Sequence, residues 1–438
     1  MSPLPLVFLL LLAAGLPIFV VLGVSAGVLT AAEGRPLIGI AQKILDELNS
    51  PTLVSVPFFV MAANFMLRGG ISKALIDVSN AWLGRMHGGL GAVTVLSCTL
   101  FAAICGSSVA TALAIGTIMI PAMVGQGYRR PFALGLVGAA GTLGILIPPS
   151  LPLILYGIIA EESIPRLFLA GVVPGLLQAL LFIAWAGWHA RRHGYPRQPA
   201  VTRREFVRVN LAALPALAVP LVIALGIYGG LVTVTEAAAL AALVALLVSL
   251  VVYRGFGWRD VLDVVGDSVK NGAVVMLIVA TALAFGQWVT ESGMAQQLVD
   301  AIAARGLAGW QFLLIVNLVL LVLGMFLEVA SIMLITLPIL VPLLAPLGID
   351  RVQFAIVMTI NMEIALITPP VGLNLYVIAG VAKAPIAEAI RGMTPFLVLL
   401  LALLAAVSYV PALSLWLPAL VYAPNRRCRR CGGRRRSS

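Results

Sequence analysis

Hydroxyl side chains, glycines and double prolines interrupt two otherwise apolar stretches of the chain. In the first stretch these residues are Gly106, Ser107, Ser108 and Thr111, followed by Thr142, Gly144, Pro148, Pro149 and Ser150. In the second they are Ser331, followed by Thr368, Pro369, Pro370, Gly372 and Asn374. Carbonyl and hydroxyl oxygens suit a hard cation such as Na⁺, whereas free amides at a helix N-terminus attract an anion. These residue types therefore predict binding of a cation and of an anionic group.

Each double proline must break a helix. Pro148 and Pro149 have no amide hydrogen, and each restricts the residue that precedes it. Backbone carbonyls freed inside a membrane are tolerated only where they are buried in protein or line a cavity. The breaks at Pro148 and at Pro369 are therefore expected to face a site.

The two stretches occupy corresponding positions in two halves of the chain. Pro121 and Pro148 in the first half are separated by the same length of chain as Pro342 and Pro369 in the second. Paired interruptions of apolar segments in two halves are the best sequence indication of a transporter's binding site. The chain is thus expected to move a small solute across a membrane.

Composition places these elements in a lipid bilayer. The chain has 438 residues, of which 61% are hydrophobic and only 10% charged, against about 25% charged in an ordinary globular domain. Its apolar runs reach the roughly 20 residues needed to cross a bilayer, and we expect ten to twelve crossings with one or two re-entrant pieces. The net charge of +11 is attributed to loop arginines that set topology, not to nucleic-acid binding.

The predicted organisation follows the polar segments between apolar runs. It comprises N-terminal scaffold and interfacial helices (residues 1–88), a first transport repeat (89–188), a connector with scaffold helices (189–270), a second transport repeat (271–391), a C-terminal membrane helix (392–424) and a basic disordered tail (425–438). By the positive-inside rule, the arginine-rich loop at residues 191–208 lies in the cytoplasm.

Two carboxylates, Glu328 and Glu363, are expected at membrane depth, where charged residues are costly and are functional candidates by default. The alternative is that each caps a helix or pairs with a cation at an interface. Catalysis has little support, because the sequence contains no nucleophile–base motif, and without a P-loop the chain is not expected to use ATP. Cys428 and Cys431 supply only two of the four ligands of a closed zinc site.

The motifs resemble a specific family. Residues 106–121, 141–150 and 361–374 are similar to the large membrane subunit, the DctM-like component, of tripartite ATP-independent periplasmic (TRAP) transporters, and the resemblance extends to about residue 422. It implies an all-α polytopic membrane protein of the bacterial inner membrane, an inverted-repeat elevator-type transporter with two re-entrant helical hairpins and two interrupted helices. It also implies Na⁺ coupling, organic-acid substrates such as C4-dicarboxylates or sialic acids, a small DctQ-like membrane subunit and a periplasmic substrate-binding protein.

The resemblance also assigns roles to residues. Substrate contacts fall on Ser107, Ser108, Thr111, Pro148, Pro149, Ser150, Pro369, Pro370 and Asn374. Na⁺ contacts fall on Gly106, Ser108, Thr142, Gly144, Ser331, Thr368 and Gly372. One Na⁺ is expected near each pair of hairpin tip and helix break, with the substrate carboxylate between them.

Two other functions are compatible with the sequence. A stand-alone Na⁺/dicarboxylate symporter would share the hairpins but need no binding protein. A passive channel or membrane scaffold would show no uptake driven by a Na⁺ gradient.

Overall fold

The computed structural model describes residue 11 and residues 15–49, 51–198, 201–293, 296–300 and 306–422. Throughout these ranges the regular structure is helical, without strands, which confirms the all-α prediction. The predicted tail at residues 425–438 and residues 1–10 and 12–14 of the predicted N-terminal membrane helix lie outside the described residues. Leu11 is helical, and a helix begins at Ile18 directly after Pro17, because a proline is well accommodated before the first turn of a helix.

The helices before the first predicted repeat are α1 (Ile18–Ala32), α2 (Ile38–Leu48), α3 (Pro51–Arg68) and α4 (Ile71–Leu83). Helices α3 and α4 meet at an angle of 73°, at Gly69 and at Gly70, whose φ of 74° is left-handed. The first repeat contains α5 (Gly89–Cys105), α6 (Ser108–Gly125), α7 (Arg130–Gly141), α8 (Leu143–Leu146), α9 (Leu151–Ile159) and α10 (Ile164–His193).

The later helices are α11 (Arg203–Tyr228), α12 (Val234–Leu247, continued by a π-turn at Val248–Val252), α13 (Trp258–Glu291), α14 (Gly309–Gly324), α15 (Val329–Leu344), α16 (Arg351–Leu366), α17 (Leu373–Ala382), α18 (Ile386–Tyr409) and α19 (Ala412–Val421). Helices α1 and α3 pack against α13, and α3 packs against α12. The boundaries predicted at 188/189, 270/271 and 391/392 fall inside α10, α13 and α18. The predicted boundaries lie at charged residues, which indicate where the chain reaches the membrane surface. The helix itself can continue beyond that surface, so its end and the predicted boundary differ.

The two repeats match helix by helix. Helices α5, α6, α7, α9 and α10 correspond in order to α14, α15, α16, α17 and α18, and the separation along the chain is nearly the same for every pair. In each repeat two helices separated by a short turn contact each other, α5 with α6 and α14 with α15, and so form a hairpin. The matched spacing of the prolines thus corresponds to a real structural repeat.

The two hairpins enter the molecule from opposite ends. At the base of the first hairpin, the Arg129 amide donates a hydrogen bond to the Tyr195 hydroxyl at 3.2 Å, beside the C-terminal end of α10. At the base of the second, the Arg351 guanidinium donates to the Ala160 carbonyl at 3.3 Å, beside the N-terminal end of α10. Helix α10 has 30 residues, which corresponds to about 45 Å. The repeats therefore have opposite orientations, as predicted.

Both hairpin tips lie deep in the molecule. From Arg130 the first interrupted helix rises through 17 residue steps, about 26 Å, to its break at Ile147, roughly half of the length of α10. Among the described residues, seven helices are long and apolar enough to span a membrane, or eight with the bent pair α3–α4. This number is below the ten to twelve expected, because several apolar runs form helices of only 10–17 residues, four of which begin or end at a hairpin tip or a break.

Candidate functional site

The tip of the first hairpin is a two-residue turn. Gly106 adopts the left-handed region with φ 64° and ends α5. The Ser107 hydroxyl accepts a hydrogen bond from the Ala110 amide at 3.4 Å and so caps α6. The Thr111 hydroxyl donates to the Ser107 carbonyl at 2.8 Å. This geometry places the N-terminus of an 18-residue helix in the interior of the protein.

The first helix break lies directly against this tip. The Pro148–Pro149 bond is cis, and the Ser150 hydroxyl accepts from the Leu153 amide at 3.4 Å to begin α9. The Leu151 amide donates to the Gly106 carbonyl at 3.4 Å. A Cβ atom on Gly106 would lie 2.5 Å from the Pro149 carbonyl oxygen, so close contact between tip and break requires glycine there.

The second hairpin and break repeat the arrangement. The Val371 amide donates to the Met325 carbonyl at 3.2 Å, joining the break to the turn before α15. The Pro369–Pro370 bond is also cis. Gly372 has φ 37°, and a Cβ atom on it would lie 2.8 Å from the Thr368 carbonyl oxygen. Glycine is thus required in the second break as it is at the first tip.

A buried hydrogen bond links the two repeats. The Asn374 amide group donates to the Ser108 hydroxyl at 2.8 Å and to the Gly138 carbonyl at 3.1 Å. Asn374 is completely buried, Ser108 is almost so, and the Asn374 Oδ1 atom has no hydrogen-bond partner within the described part of the chain. An unpartnered buried acceptor beside a hydroxyl group fits a cation ligand at this place, because buried polar atoms are normally satisfied.

Both tips and both breaks meet around one central cavity of about 100 Å³. Its wall consists of Gly106, Ser107, Ser108, Val109, Ile145, Leu151, Pro152, Leu155, Glu328, Val329, Ala330, Leu366 and Leu373. On one side a crevice of about 350 Å³ shares Gly106 and Ser107 with it, and on the other a pocket of about 190 Å³ shares Glu328. The central cavity is smaller than the roughly 300–1,000 Å³ of most ligand pockets, so only a small ligand would fit this conformation.

Helix ends of both kinds lie in the wall of the central cavity, because α16 ends at Leu366 and Gly106 caps the C-terminal end of α5 there. Four helices begin in its wall: α6 at Ser108, α9 at Leu151, α15 at Val329 and α17 at Leu373. Each helix N-terminus is equivalent to roughly half a positive charge. The wall contains no lysine or arginine among the described residues. The arrangement can therefore hold an anion without a cationic side chain.

Glu328 is the one charged residue in the wall of the central cavity, as far as the structure describes the chain. It occupies the position before the first turn of α15, but its side chain makes no capping hydrogen bond. At this position the carboxylate is itself favoured by the dipole of α15, and it would repel a second anion unless a cation lay nearby.

The structure brings some of the predicted site residues together and leaves others behind the wall. Gly106, Ser107 and Ser108 line the central cavity, Pro149 lines the larger crevice, and Gly372 lines the smaller pocket. The other predicted residues are not in the cavity wall; they are Thr111, Thr142, Gly144, Pro148, Ser150, Ser331, Thr368, Pro369, Pro370 and Asn374. Their assigned roles stay predictions.

Two of the residues behind the wall support its backbone. A Cβ atom on Gly144 would lie 2.8 Å from the Thr111 hydroxyl oxygen, so Gly144 allows the tip to approach the interrupted helix. The Thr368 hydroxyl donates to the Ile364 carbonyl at 2.6 Å beside the second break, and both lone pairs of its oxygen remain available to a ligand.

Sequence reasoning overlooked three polar residues. Gln178 is completely buried in α10 and donates to the Thr142 hydroxyl at 3.1 Å. Asn64 and Asn271 line the larger crevice opposite the first tip. The signal for Gln178 was present, because it is the one strongly polar residue of the apolar run at residues 167–188 and such residues default to functional candidates.

The sequence matches known transporter components over almost its whole length. The model of the family described as tripartite ATP-independent periplasmic transporter, DctM component, matches residues 6–413. The chain is 40% identical to the C4-dicarboxylate TRAP transporter large permease protein DctM of Rhodobacter capsulatus, over 94% of this chain and 97% of that protein. It is 43% identical to the protein of the same name from Pseudomonas aeruginosa, over 86% and 89%.

A solved structure supports the fold. The MtrF protein of Neisseria gonorrhoeae, described as one of a class of antimetabolite efflux pumps, aligns with a TM-score of 0.66 over 95% of this chain and 96% of that one. The two sequences are only 15% identical, so the likeness shows a shared membrane-transporter fold and nothing about the solute.

Proposed function

The chain belongs to the DctM component family of tripartite ATP-independent periplasmic transporters, and on that premise we propose that it imports an organic acid by Na⁺-coupled secondary transport. Its relatives are large permease proteins, so the chain is a multi-pass membrane transporter component and not an enzyme. The proposed location is the bacterial inner membrane, with the end that carries Arg191 and Arg192 in the cytoplasm.

The observation that carries the proposal is the meeting of four helix N-termini around the central cavity. A carboxylate is one of the anionic groups that these amides and dipoles suit. The first tip supplies Ser107 and Ser108 as additional donors. A cavity of about 100 Å³ favours a compact acid, and both relatives described above are named for C4-dicarboxylates. A C4-dicarboxylate is therefore the first substrate to test.

Na⁺ is the proposed coupling ion at both tip–break pairs. Near the first tip its ligands would include the Ser108 hydroxyl, and the unpartnered Asn374 Oδ1 lies beside that hydroxyl. Near the second break they would include the Thr368 hydroxyl and backbone carbonyls around Gly372. These are hard oxygen donors of the kind that alkali and alkaline-earth ions prefer. A bound cation would also offset the charge of Glu328 and so admit a carboxylate.

The transport step is proposed to be an elevator motion of the two hairpins and interrupted helices against α1–α4 and α11–α13. The larger crevice supports this division, because it lies between the first tip and residues Asn64 and Asn271 of α3 and α13. The proposed partners are a small DctQ-like membrane subunit and a periplasmic substrate-binding protein, which would deliver the acid to the central cavity.

Proteoliposomes that contain this chain and its small subunit would test the proposal, with labelled succinate outside and an inward Na⁺ gradient. Accumulation that requires both the gradient and the purified periplasmic binding protein is expected. Accumulation without the binding protein would instead support a stand-alone Na⁺/dicarboxylate symporter. Equilibration without accumulation would indicate a passive channel.

A further inference from the structure

A second group of unpartnered oxygens lies in the interior, away from the wall of the central cavity. Glu363 in α16 and Gln178 in α10 are both completely buried. Both carboxylate oxygens of Glu363, and the Oε1 atom of Gln178, have no hydrogen-bond partner among the described residues. The side chains of Gln178 and Thr142 interact with the Glu363 carboxyl, although the geometry completes no hydrogen bond to either carboxylate oxygen among the described residues. The carboxylate, the Gln178 amide and the Thr142 hydroxyl thus lie together in the interior.

The same group joins both repeats. Thr142 lies between α7 and α8 of the first repeat, its hydroxyl donates to the Ala139 carbonyl at 2.8 Å, and its oxygen accepts from the Gln178 amide at 3.1 Å. Glu363 comes from α16 of the second repeat, and α16 packs against both α8 and α10. The Thr142 hydroxyl, which is predicted to contact Na⁺ near the first tip, therefore lies next to Glu363.

No side chain of opposite charge compensates Glu363 in the described part of the chain. The helices packed against α16 are α8, α9, α10, α14, α15, α17, α18 and α19. The charged and titratable groups on them, and on α16 itself, are Arg166, His189, Arg191, Arg192 and His193 on α10, Glu388, Arg391 and Tyr409 on α18, Tyr156 on α9, Tyr376 on α17 and Arg351 on α16, with Glu328 just before α15. Among the described residues, the side chains that interact with the Glu363 carboxyl are those of Gln178 and Thr142, and neither is charged.

Arg351 and Arg166 are too distant to pair with Glu363. Arg351 precedes Glu363 by 12 residues along α16, and Arg166 precedes Gln178 by 12 residues along α10, which corresponds to about 18 Å in each case. Arg351 and Arg166 also contact Ala160 and Asp350 at the end of the molecule. A buried carboxylate left without a partner costs several kcal/mol, so Glu363 must be neutralised either by a proton or by a bound cation.

We propose that Glu363, Gln178 and Thr142 form a Na⁺ site. The Glu363 carboxylate, the Gln178 amide oxygen and the Thr142 hydroxyl oxygen are hard ligands, which select Na⁺, Mg²⁺ or Ca²⁺ over softer metals. A single carboxylate makes the site neutral with a monovalent ion, whereas a divalent ion would leave a net positive charge buried. The inference rests on the proposed Na⁺ coupling and places one coupling ion at the contact between the repeats.

The test is Na⁺ binding to the purified protein, measured by calorimetry and by the Na⁺-dependent rise in melting temperature, with choline chloride holding the ionic strength constant. The test variant is Glu363→Gln, which keeps the shape of the side chain and can pair with Gln178 amide to amide. We expect at least about tenfold weaker Na⁺ binding, or one fewer Na⁺ bound. The control Glu205→Gln, at a half-exposed carboxylate beside Arg208, should bind Na⁺ as the parent protein does.

A folded Glu363→Gln protein with the parent's Na⁺ isotherm would overturn the site. If that variant does not fold, Gln178→Leu removes the amide oxygen from the opposite side of the site, and unchanged Na⁺ binding in it would overturn the proposal equally. Binding is measured without transport. A protein that binds Na⁺ through Glu363 but accumulates no acid would therefore refute the proposed function and leave the site standing.

Discussion

Removal of the Ser108 hydroxyl tests the first tip most sharply. In Ser108→Ala the hydrogen bond from Asn374 at 2.8 Å is lost, but the Asn374 amide keeps its bond to the Gly138 carbonyl at 3.1 Å. One of the two Asn374 N–H groups is left without a partner, so the free energy of unfolding should fall by about 1–3 kcal/mol. This loss is smaller than the roughly 5–15 kcal/mol that stabilises a typical folded protein, so the variant is expected to fold and to insert normally.

The variant should also bind Na⁺ more weakly. An interaction between a polar group and a charge contributes about 1.5–3 kcal/mol, and each 1.4 kcal/mol corresponds to tenfold in affinity. Loss of one hydroxyl ligand should thus raise the Na⁺ concentration for half-maximal uptake by about tenfold to a hundredfold. The maximal rate at saturating Na⁺ should change far less.

The assay is initial uptake of labelled succinate by proteoliposomes across a Na⁺ titration. Thr94→Val is the matched control, because Thr94 is a buried hydroxyl of the same hairpin that donates to the Leu90 carbonyl of its own helix. It should lose a similar amount of stability with no shift in Na⁺ dependence. If the Ser108→Ala protein shows the parent's Na⁺ dependence, the hydroxyl is not a ligand and the reasoning fails.

Three further predictions concern the other elements of the site. Gly144→Ala should reduce uptake at least tenfold, because its Cβ atom would lie 2.8 Å from the Thr111 hydroxyl and overpacking costs about 1–3 kcal/mol; Gly125→Ala, whose Cβ atom would meet nothing within 4 Å, should transport normally, and equal activity of the two would contradict the close fit of tip and break. Thr368→Ala should raise the Na⁺ requirement about tenfold, and an unchanged Na⁺ titration would remove Thr368 from the second ion site. Glu328→Gln should raise the Na⁺ concentration for half-maximal uptake without loss of expression, since a carboxylate and a cation about 4 Å apart attract by about 4 kcal/mol near a protein surface. Stronger uptake at low Na⁺ would show that Glu328 only repels the substrate.

Much of the architecture could be predicted because the chain carries strong local signals. The double prolines at Pro148 and Pro369 dictate breaks in any helix, and the glycine at Gly106 allows the left-handed turn of the first tip. The matched spacing of the prolines made the repeat visible before any contact was known. Helix ends were predicted less well, since α10 and α13 continue through polar residues at the membrane surface.

The contacts across the repeats could not be predicted in the same way. The hydrogen bond from Asn374 to Ser108 joins residues 266 positions apart, and nothing local in either segment specifies that pairing. Thr142 is predicted to contact Na⁺ near the first tip, but its hydrogen bond with Gln178, 36 positions away, has no local signal in the sequence. Gln178 was overlooked because a single amide in an apolar run has no motif, although its position at membrane depth was itself an indication.

The most direct test of the central claim is an experimental density map of the protein with succinate and Na⁺ bound. The account predicts density for the acid in the central cavity, with a carboxylate within hydrogen-bonding distance of the backbone amides at Ser108 and Val329. Density for the acid only in the crevice beside Asn64 and Asn271, with the central cavity empty, would contradict the claim that the four helix N-termini form the substrate site.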